Sequence, residues 1–214
     1  MEKLSYIKIS NIDELKTMVA EVSRNAFARH LIGGTGGNIS ARLAGEDRVV
    51  VTPSGLSLAD LTEETLVICD LEGQVLEAPQ GLKPSKETYF HLGIYSLRPS
   101  VNAVVHVHPV YATAYANLLR ELPLSTVSAQ VKLARVPCID TALPGSDELR
   151  EQVLEAVRTY PESNAFLMRE HGILTVAESL YSAYYAADLV EDTAQIAYAE
   201  AVIRSSTKAS SPGT

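Results

Sequence analysis

The chain reads as an α/β protein whose sheet is mainly antiparallel and flanked by helices. Three observations predict this. Segments of helical period alternate with short, β-branched apolar runs. The early runs are joined by hairpin-like turns at 45–47 and 72–73 instead of helical crossovers. A chain of 214 residues that is 46% hydrophobic can also bury one sizeable core. One domain over residues 1–204 is the expectation, followed by a polar, disordered tail at 205–214 (SSTKASSPGT).

Residues 12–32 carry Leu15, Met18, Val19, Val22, Phe27, Leu31 and Ile32 at helical spacing, with Asn11 as the cap and the glycines of 33–37 as the stop. Residues 38–43 and 48–52 read as paired strands, and Pro53-Ser54-Gly55 as a tight turn. Residues 65–71 and 74–77 form a second hairpin. A helix comes next over 86–97, capped by Ser85, then a strand at 101–108 and a helix at 111–119. Residues 133–139 read as a strand, 147–160 as a helix capped by Ser146, 165–168 and 173–176 as strands, and 178–203 as a long helix.

A net charge of −8 argues against nucleic acid as a partner, because a phosphate backbone requires a basic face. There is no apolar run long enough to cross a membrane, and residues 1–11 lack a signal-peptide pattern. Cys69 and Cys138 are isolated, without C-x-x-C spacing, which fits a reducing cytoplasm and speaks against a thiolate site.

The chemistry concentrates in VNAVVHVHP, residues 101–109. Residues two apart on a strand share a face, so His106 and His108 stand side by side at its end. Alone, such a pair is equally a half-exposed strand bearing two solvated rings. His171 alters that balance, since it sits at a break between two further apolar strands. Three neutral imidazoles with one open position are the donor set of a catalytic zinc site.

The run Gly33-Gly34-Thr35-Gly36-Gly37-Asn38 lacks the Gly-Lys-Ser/Thr ending of a P-loop and precedes a strand, which excludes a dinucleotide fingerprint. It is either a plain helix stop or a backbone nest for an anion. Thr52-Pro53-Ser54-Gly55 and Pro84-Ser85 offer the same amides and hydroxyls, a set suited to a phosphate monoester. Glu87, in the first turn of the 86–97 helix, is either an acid favoured by the helix dipole or a site residue. His91, one turn later, reads as a histidine packed between helix and sheet.

Taken in order, GGNIS (36–40), TPSG (52–55), KPSKE (83–87), HVHP (106–109) and EHG (170–172) resemble the class II aldolase/adducin head family over roughly residues 12–203. Its members include L-fuculose-1-phosphate and rhamnulose-1-phosphate aldolases, ribulose-5-phosphate 4-epimerase and methylthioribulose-1-phosphate dehydratase. The resemblance implies a three-layer α/β/α sandwich and a homotetramer with active sites at subunit interfaces. It implies His106, His108 and His171 as ligands of Zn2+, with Mn2+, Fe2+ or Co2+ as other occupants. Glu87 becomes the acid/base, while Asn38, Ser54, Gly55 and Ser85, with Gly37, Thr35 and Lys86 close by, hold the substrate phosphate.

The implied reaction is aldol cleavage of a ketose phosphate to dihydroxyacetone phosphate and an aldehyde through a metal-stabilised enediolate. Two departures keep dehydratase, 4-epimerase or decarboxylase chemistry open. Residues 123–132 (PLSTVSAQVK) lack the tyrosine of the fuculose enzyme, and Lys86 stands where several aldolases have serine. Glu170 also replaces the more familiar asparagine or histidine. A non-catalytic adducin-like module is the remaining reading, which intact ligands and Glu87 oppose.

Overall fold

The computed structural model describes residues 11–118 and 121–209; all but the last residue of the opening segment read for a leader, and the last five residues of the polar tail, lie outside them. In chain order the elements are α1 (Ile12–Ala28), β1 (Asn38–Arg42), β2 (Val49–Val51), β3 (Val67–Cys69), β4 (Val75–Glu77), α2 (Thr88–Leu97), β5 (Ala103–Val107) and α3 (Val110–Leu118), then α4 (Val127–Leu133), β6 (Cys138–Ile139), α5 (Asp147–Thr159), β7 (Ala165–Met168), β8 (Gly172–Ala177) and α6 (Leu180–Ala209). The described strands form one sheet, ordered β4-β3-β2-β1-β5-β8-β7-β6. Every pairing is antiparallel except β6 with β7.

Helices cover both faces, giving three layers. Apolar residues of α1, α3, α4 and α6 pack with Ile39, Ala41, Val105 and Val107 on one side. Those of α2 and α5 pack with Val104, Phe166, Leu174 and Val176 on the other. β5 lies between β1 and β8 and is buried along its whole length, so it alternates between two cores instead of between core and water. Val104, Val105 and Val107 are each fully buried, worth roughly 1.5–3 kcal/mol apiece on transfer from water. That alternation sends His106 to the α2/α5 side, together with Asn38 and Ser40 of β1.

The α2–β5 connection is pinned by buried Arg42, whose guanidinium donates to the carbonyls of Val101 (3.2 Å) and Pro99 (2.8 Å). Asn11 and Ser146 cap their helices as expected, accepting from Glu14 N–H and Leu149 N–H.

Several boundaries differ from the sequence reading. α1 stops at Ala28, before the glycines, because His30 takes a left-handed conformation (φ 57°). Leu31 N–H then reaches the Ala26 carbonyl and His30 N–H that of Phe27, closing a Schellman-type end. The strand expected at 133–139 shrinks to Cys138–Ile139. Residues Val127–Leu133 are helical, with the Thr126 side chain accepting from Ala129 N–H. The tail expected to be disordered from 205 is helical through Ala209. There the hydroxyls of Ser205, Ser206 and Thr207 donate to carbonyls of their own turn, so a polar sequence continues an exposed helix without a core face.

Candidate metal centre and substrate cradle

The Nδ1–H of His106 donates to the Ile173 carbonyl across the β5–β8 pair at 2.8 Å. That bond fixes the tautomer and leaves the Nε2 lone pair facing Glu87, whose Oε2 lies 3.4 Å away. His171 arrives from the tight turn joining β7 to β8, closed by His171 N–H to the Met168 carbonyl at 3.0 Å. Glu170 occupies that turn at φ 63°, and its N–H donates to Asn117 Oδ1 on α3 at 2.8 Å. The Nε2–H of His171 donates to the Ala142 carbonyl at 2.6 Å. Its Nδ1 lone pair therefore turns inward, 3.9 Å from Glu87 Oε1.

One ligand atom from each of Glu87, His106 and His171 lies within 4.8 Å of the others. His108 stands outside that group at the exposed rim, with its Nε2 3.1 Å from that of His106. At this distance either His108 Nε2–H donates to His106, or both lone pairs meet one cation. Burial pushes His106 below the ordinary imidazole range, against the opposing pull of Glu87. Loss of solvent, then repulsion from His106 and His171, brings His108 down to about 3. Both rings are thus neutral near pH 7, the form that ligates metals. The imidazoles of His106 and His171, each with its second nitrogen tied to a backbone carbonyl, together with the Glu87 carboxylate, make a donor set that fits a divalent cation.

Glu87 sits one residue before α2, at its N-cap position, not inside the first turn as the sequence suggested. Ser85, expected as that cap, lies two residues before it: its Oγ accepts from Glu87 N–H at 3.3 Å and its carbonyl from Thr88 N–H. The Glu87 carboxylate makes no capping bond to α2. It turns into the site, 10% exposed, where Asn38 Nδ2–H donates to Oε2 at 2.7 Å.

His91 lies four residues on, fully buried between α2 and the sheet. Its Nδ1 is 2.8 Å from Ser40 Oγ, which in turn is 2.7 Å from Tyr95 Oη. Burial holds His91 well below the usual imidazole range. Asn38 Oδ1 and His91 Nε2 are buried without a protein hydrogen-bond partner.

The glycine run lies against the histidine strand. A Cβ on Gly36 would come within 3.0 Å of His108 Nδ1, and one on Gly37 (φ 70°) within 2.9 Å of the His106 carbonyl oxygen. Close approach to the two histidines is thus one physical reason for glycine at both positions. Thr35 is exposed beside them.

The other two cradle segments run side by side. Pro53 bridges Pro84, Ser54 N–H donates to the Lys83 carbonyl (2.9 Å) and Ser85 N–H to that of Thr52 (3.2 Å). Ser54, Gly55, Ser85 and Lys86 therefore share one loop cluster, and all but Ser85 are exposed. A cavity of about 360 Å³ is lined there by Lys83, Ser85, Lys86, Thr88 and Tyr89. A larger groove, about 680 Å³, runs between β6 and α5 past Asp140, Glu151 and Tyr160, and none of the histidines lines it. The carbonyls of Ile173 and Ala142 and the side chain of Asn117 were not legible as site residues; a backbone acceptor leaves no mark on residue type.

Residues 17–198 match the model of the class II aldolase and adducin N-terminal domain. The chain is 34% identical over 182 residues to an L-fuculose phosphate aldolase of Methanococcus maripaludis, covering 85% of this chain and 95% of that one. It is 32% identical over 186 residues to a 3-oxo-tetronate 4-phosphate decarboxylase of Haemophilus influenzae, covering 85% of each. Among solved structures, the L-fuculose-1-phosphate aldolase of Thermus thermophilus superposes with a TM-score of 0.77 at 30% identity, covering 93% of this chain and 98% of that one.

Proposed function

The chain belongs to the class II aldolase and adducin N-terminal domain family, and from that premise we propose that it is a zinc-dependent aldolase of a ketose phosphate related to L-fuculose 1-phosphate. The products are dihydroxyacetone phosphate and an aldehyde. One observation carries the reading: Glu87 faces His106 and His171 while backbone carbonyls hold the opposite nitrogens of both rings. His106, His108 and His171 would hold the ion, and nitrogen ligands with a carboxylate suit Zn2+ while admitting Mn2+, Fe2+ or Co2+. When bound, such an ion supplies Lewis acidity toward substrate oxygen atoms.

The chain's own groups do the rest. Asn38, Ser54, Gly55 and Ser85, with Gly37, Thr35 and Lys86 alongside, orient the phosphate through amides and hydroxyls. Glu87, held by Asn38, exchanges the proton at the substrate carbon from which the aldehyde departs, the role of a positioned general acid/base.

A second reading has its own support. Lys86 is an exposed cation in the cradle, and a relative of 32% identity is named a decarboxylase of a sugar-acid phosphate. Lys86 would then pair with a substrate carboxylate. Dehydratase or 4-epimerase chemistry on the same residues is a further variant of this reading.

The proposal extends to a cytoplasmic, single-domain subunit of a homotetramer. No described helix is long and apolar enough to cross a membrane. Val127 and Val131, four residues apart on α4, are 76% and 77% exposed, an apolar pair suited to a subunit contact.

A screen of ketose phosphates and sugar-acid phosphates, with products identified by mass spectrometry, tests the reading. Triose phosphate formed together with an aldehyde and without carbon dioxide supports the aldolase, carbon dioxide release favours the decarboxylase, whose four-carbon 3-oxo acid phosphate would also leave a triose phosphate, and turnover of neither class overturns both.

A further inference from the structure

His108 lies beyond the sheet's support. The β1–β5 pairing ends at His106 and the β5–β8 pairing at Val107. Pro109 and then α3 come directly after His108. A helix start leaves backbone N–H groups without intrahelical partners. Pro109, next before α3, has no side-chain acceptor that could take them. Thr113 N–H reaches the Pro109 carbonyl at 3.0 Å, but the N–H groups of Tyr111 and Ala112 need an outside acceptor.

That acceptor comes from a distant part of the chain. Glu191 of α6, only 6% exposed, accepts Tyr111 N–H at 3.1 Å through Oε1 and Ala112 N–H at 2.8 Å through Oε2. Gln195 Nε2 steadies the same carboxylate at 3.3 Å. A carboxylate spanning two amides at the positive end of a helix dipole is a strong, directional anchor. At the other end of α3, Asn117 holds the turn that presents His171. One short helix therefore links both histidine-bearing segments, and Glu191 fixes the end next to His108.

We propose that Glu191 is a positioning residue for the metal centre: by capping α3 it sets the backbone from which His108 reaches the ion. The inference rests on the metal-site reading above and deepens it. Glu191 bonds Tyr111, Ala112 and Gln195 and is not among the residues assigned above to ion or phosphate, so its effect reads out in metal binding.

The test is titration of metal-free protein with Co2+, monitored by visible absorption, in wild type, Glu191→Ala, Glu191→Gln and Asn11→Ala. Removing an outer-shell partner typically weakens metal binding about 10- to 100-fold, and Glu191→Ala is expected in that range with an altered cobalt spectrum. Glu191→Gln keeps one oxygen acceptor and recovers most of the affinity. Asn11→Ala removes the cap of α1, whose side chain bonds Glu14 N–H, and lowers thermal stability without moving the cobalt affinity. Folded Glu191→Ala with wild-type affinity and spectrum overturns the proposal. Should Glu191→Ala fail to fold, Glu191→Met, which keeps the side chain's length without an oxygen acceptor for Tyr111 and Ala112, decides: weakened cobalt affinity with a shifted band supports the role, and wild-type affinity and spectrum overturn it. Wild-type protein that binds no cobalt overturns this inference and the metal reading together, whereas loss of the inference alone leaves wild-type binding intact.

Discussion

His106 and His108 stand two residues apart with their Nε2 atoms 3.1 Å from each other, yet the molecule holds them by different means. His106 is fully buried in a strand paired on both sides, with Nδ1 bonded to a backbone carbonyl. His108 is exposed, beyond the last rung of the ladder, against Gly36 and the start of α3. The inner half of the site is thus specified by sheet register and core packing. The outer half depends on helix ends, tight turns and glycines that let backbones meet. Damage to the two halves should differ in kind.

The largest effect is expected at the inner half without loss of fold. Glu87→Gln retains the shape of the carboxylate but not its proton chemistry, so turnover should fall roughly 10²- to 10⁴-fold while bound metal and thermal stability stay close to wild type. Steady-state kinetics with metal analysis checks this. Unimpaired turnover would return Glu87 to a helix-dipole role.

Gly172→Ala probes the junction between the halves. Gly172 has φ 88°, and a Cβ there would collide with the Val107 carbonyl oxygen and lie 2.7 Å from His108 Cα. The combined strain and overpacking should cost roughly 3 kcal/mol or more and release bound metal. Urea denaturation and metal content measure both, and a variant of wild-type stability would contradict the close approach.

A smaller effect appears with pH in metal-free protein. His91 and His106 are fully buried, and their pKa values, like that of His108, lie below the ordinary value. The folded state binds fewer protons than the unfolded chain below about pH 6.5, so stability is full above that pH and declines as pH falls, by up to about 1.4 kcal/mol per pH unit per fully buried imidazole. His91→Gln should flatten the slope between about pH 6.5 and 4.5 by one group's share. Identical slopes would mean that His91 charges as readily in the folded chain as in the unfolded one.

The smallest effect belongs to the outer turn. Glu170 holds a left-handed conformation at φ 63°, so Glu170→Gly should raise stability by about 1 kcal/mol or less, provided the backbone bond to Asn117 survives. A fall in thermal midpoint would show instead that the Glu170 side chain, 3.3 Å from Thr141 Oγ1, contributes more than the turn's strain costs.

The inner half was also the more legible in sequence. The valine-rich run 101–108, ended by Pro109, gave the strand, and the two-residue period of a strand gave the shared face of His106 and His108; Asn11 and Ser146 announced their helices, and the order of motifs pointed to the family. What escaped was set by tertiary context. α4 carries two exposed valines in a segment with no clear helical stripe, so local preference gave no helix, and the burial of Ala129 and Leu133 in the core shared with α6 decides it. The strand expected at 133–139 is limited by pairing to the sheet-edge residues Cys138 and Ile139. Glu191 is one of several acids on a long helix, and only the fold shows that it faces unpaired amides. The anchors at Ile173 and Ala142 are carbonyls, present at every residue and therefore silent.

Metal content per chain in wild type, His106→Ala and His171→Ala, each purified and dialysed with zinc present in the growth medium, tests the central claim most directly. Near one ion per chain in wild type and close to none in either variant is the predicted result. Wild-type protein without metal, or variants that retain a full complement, would contradict it.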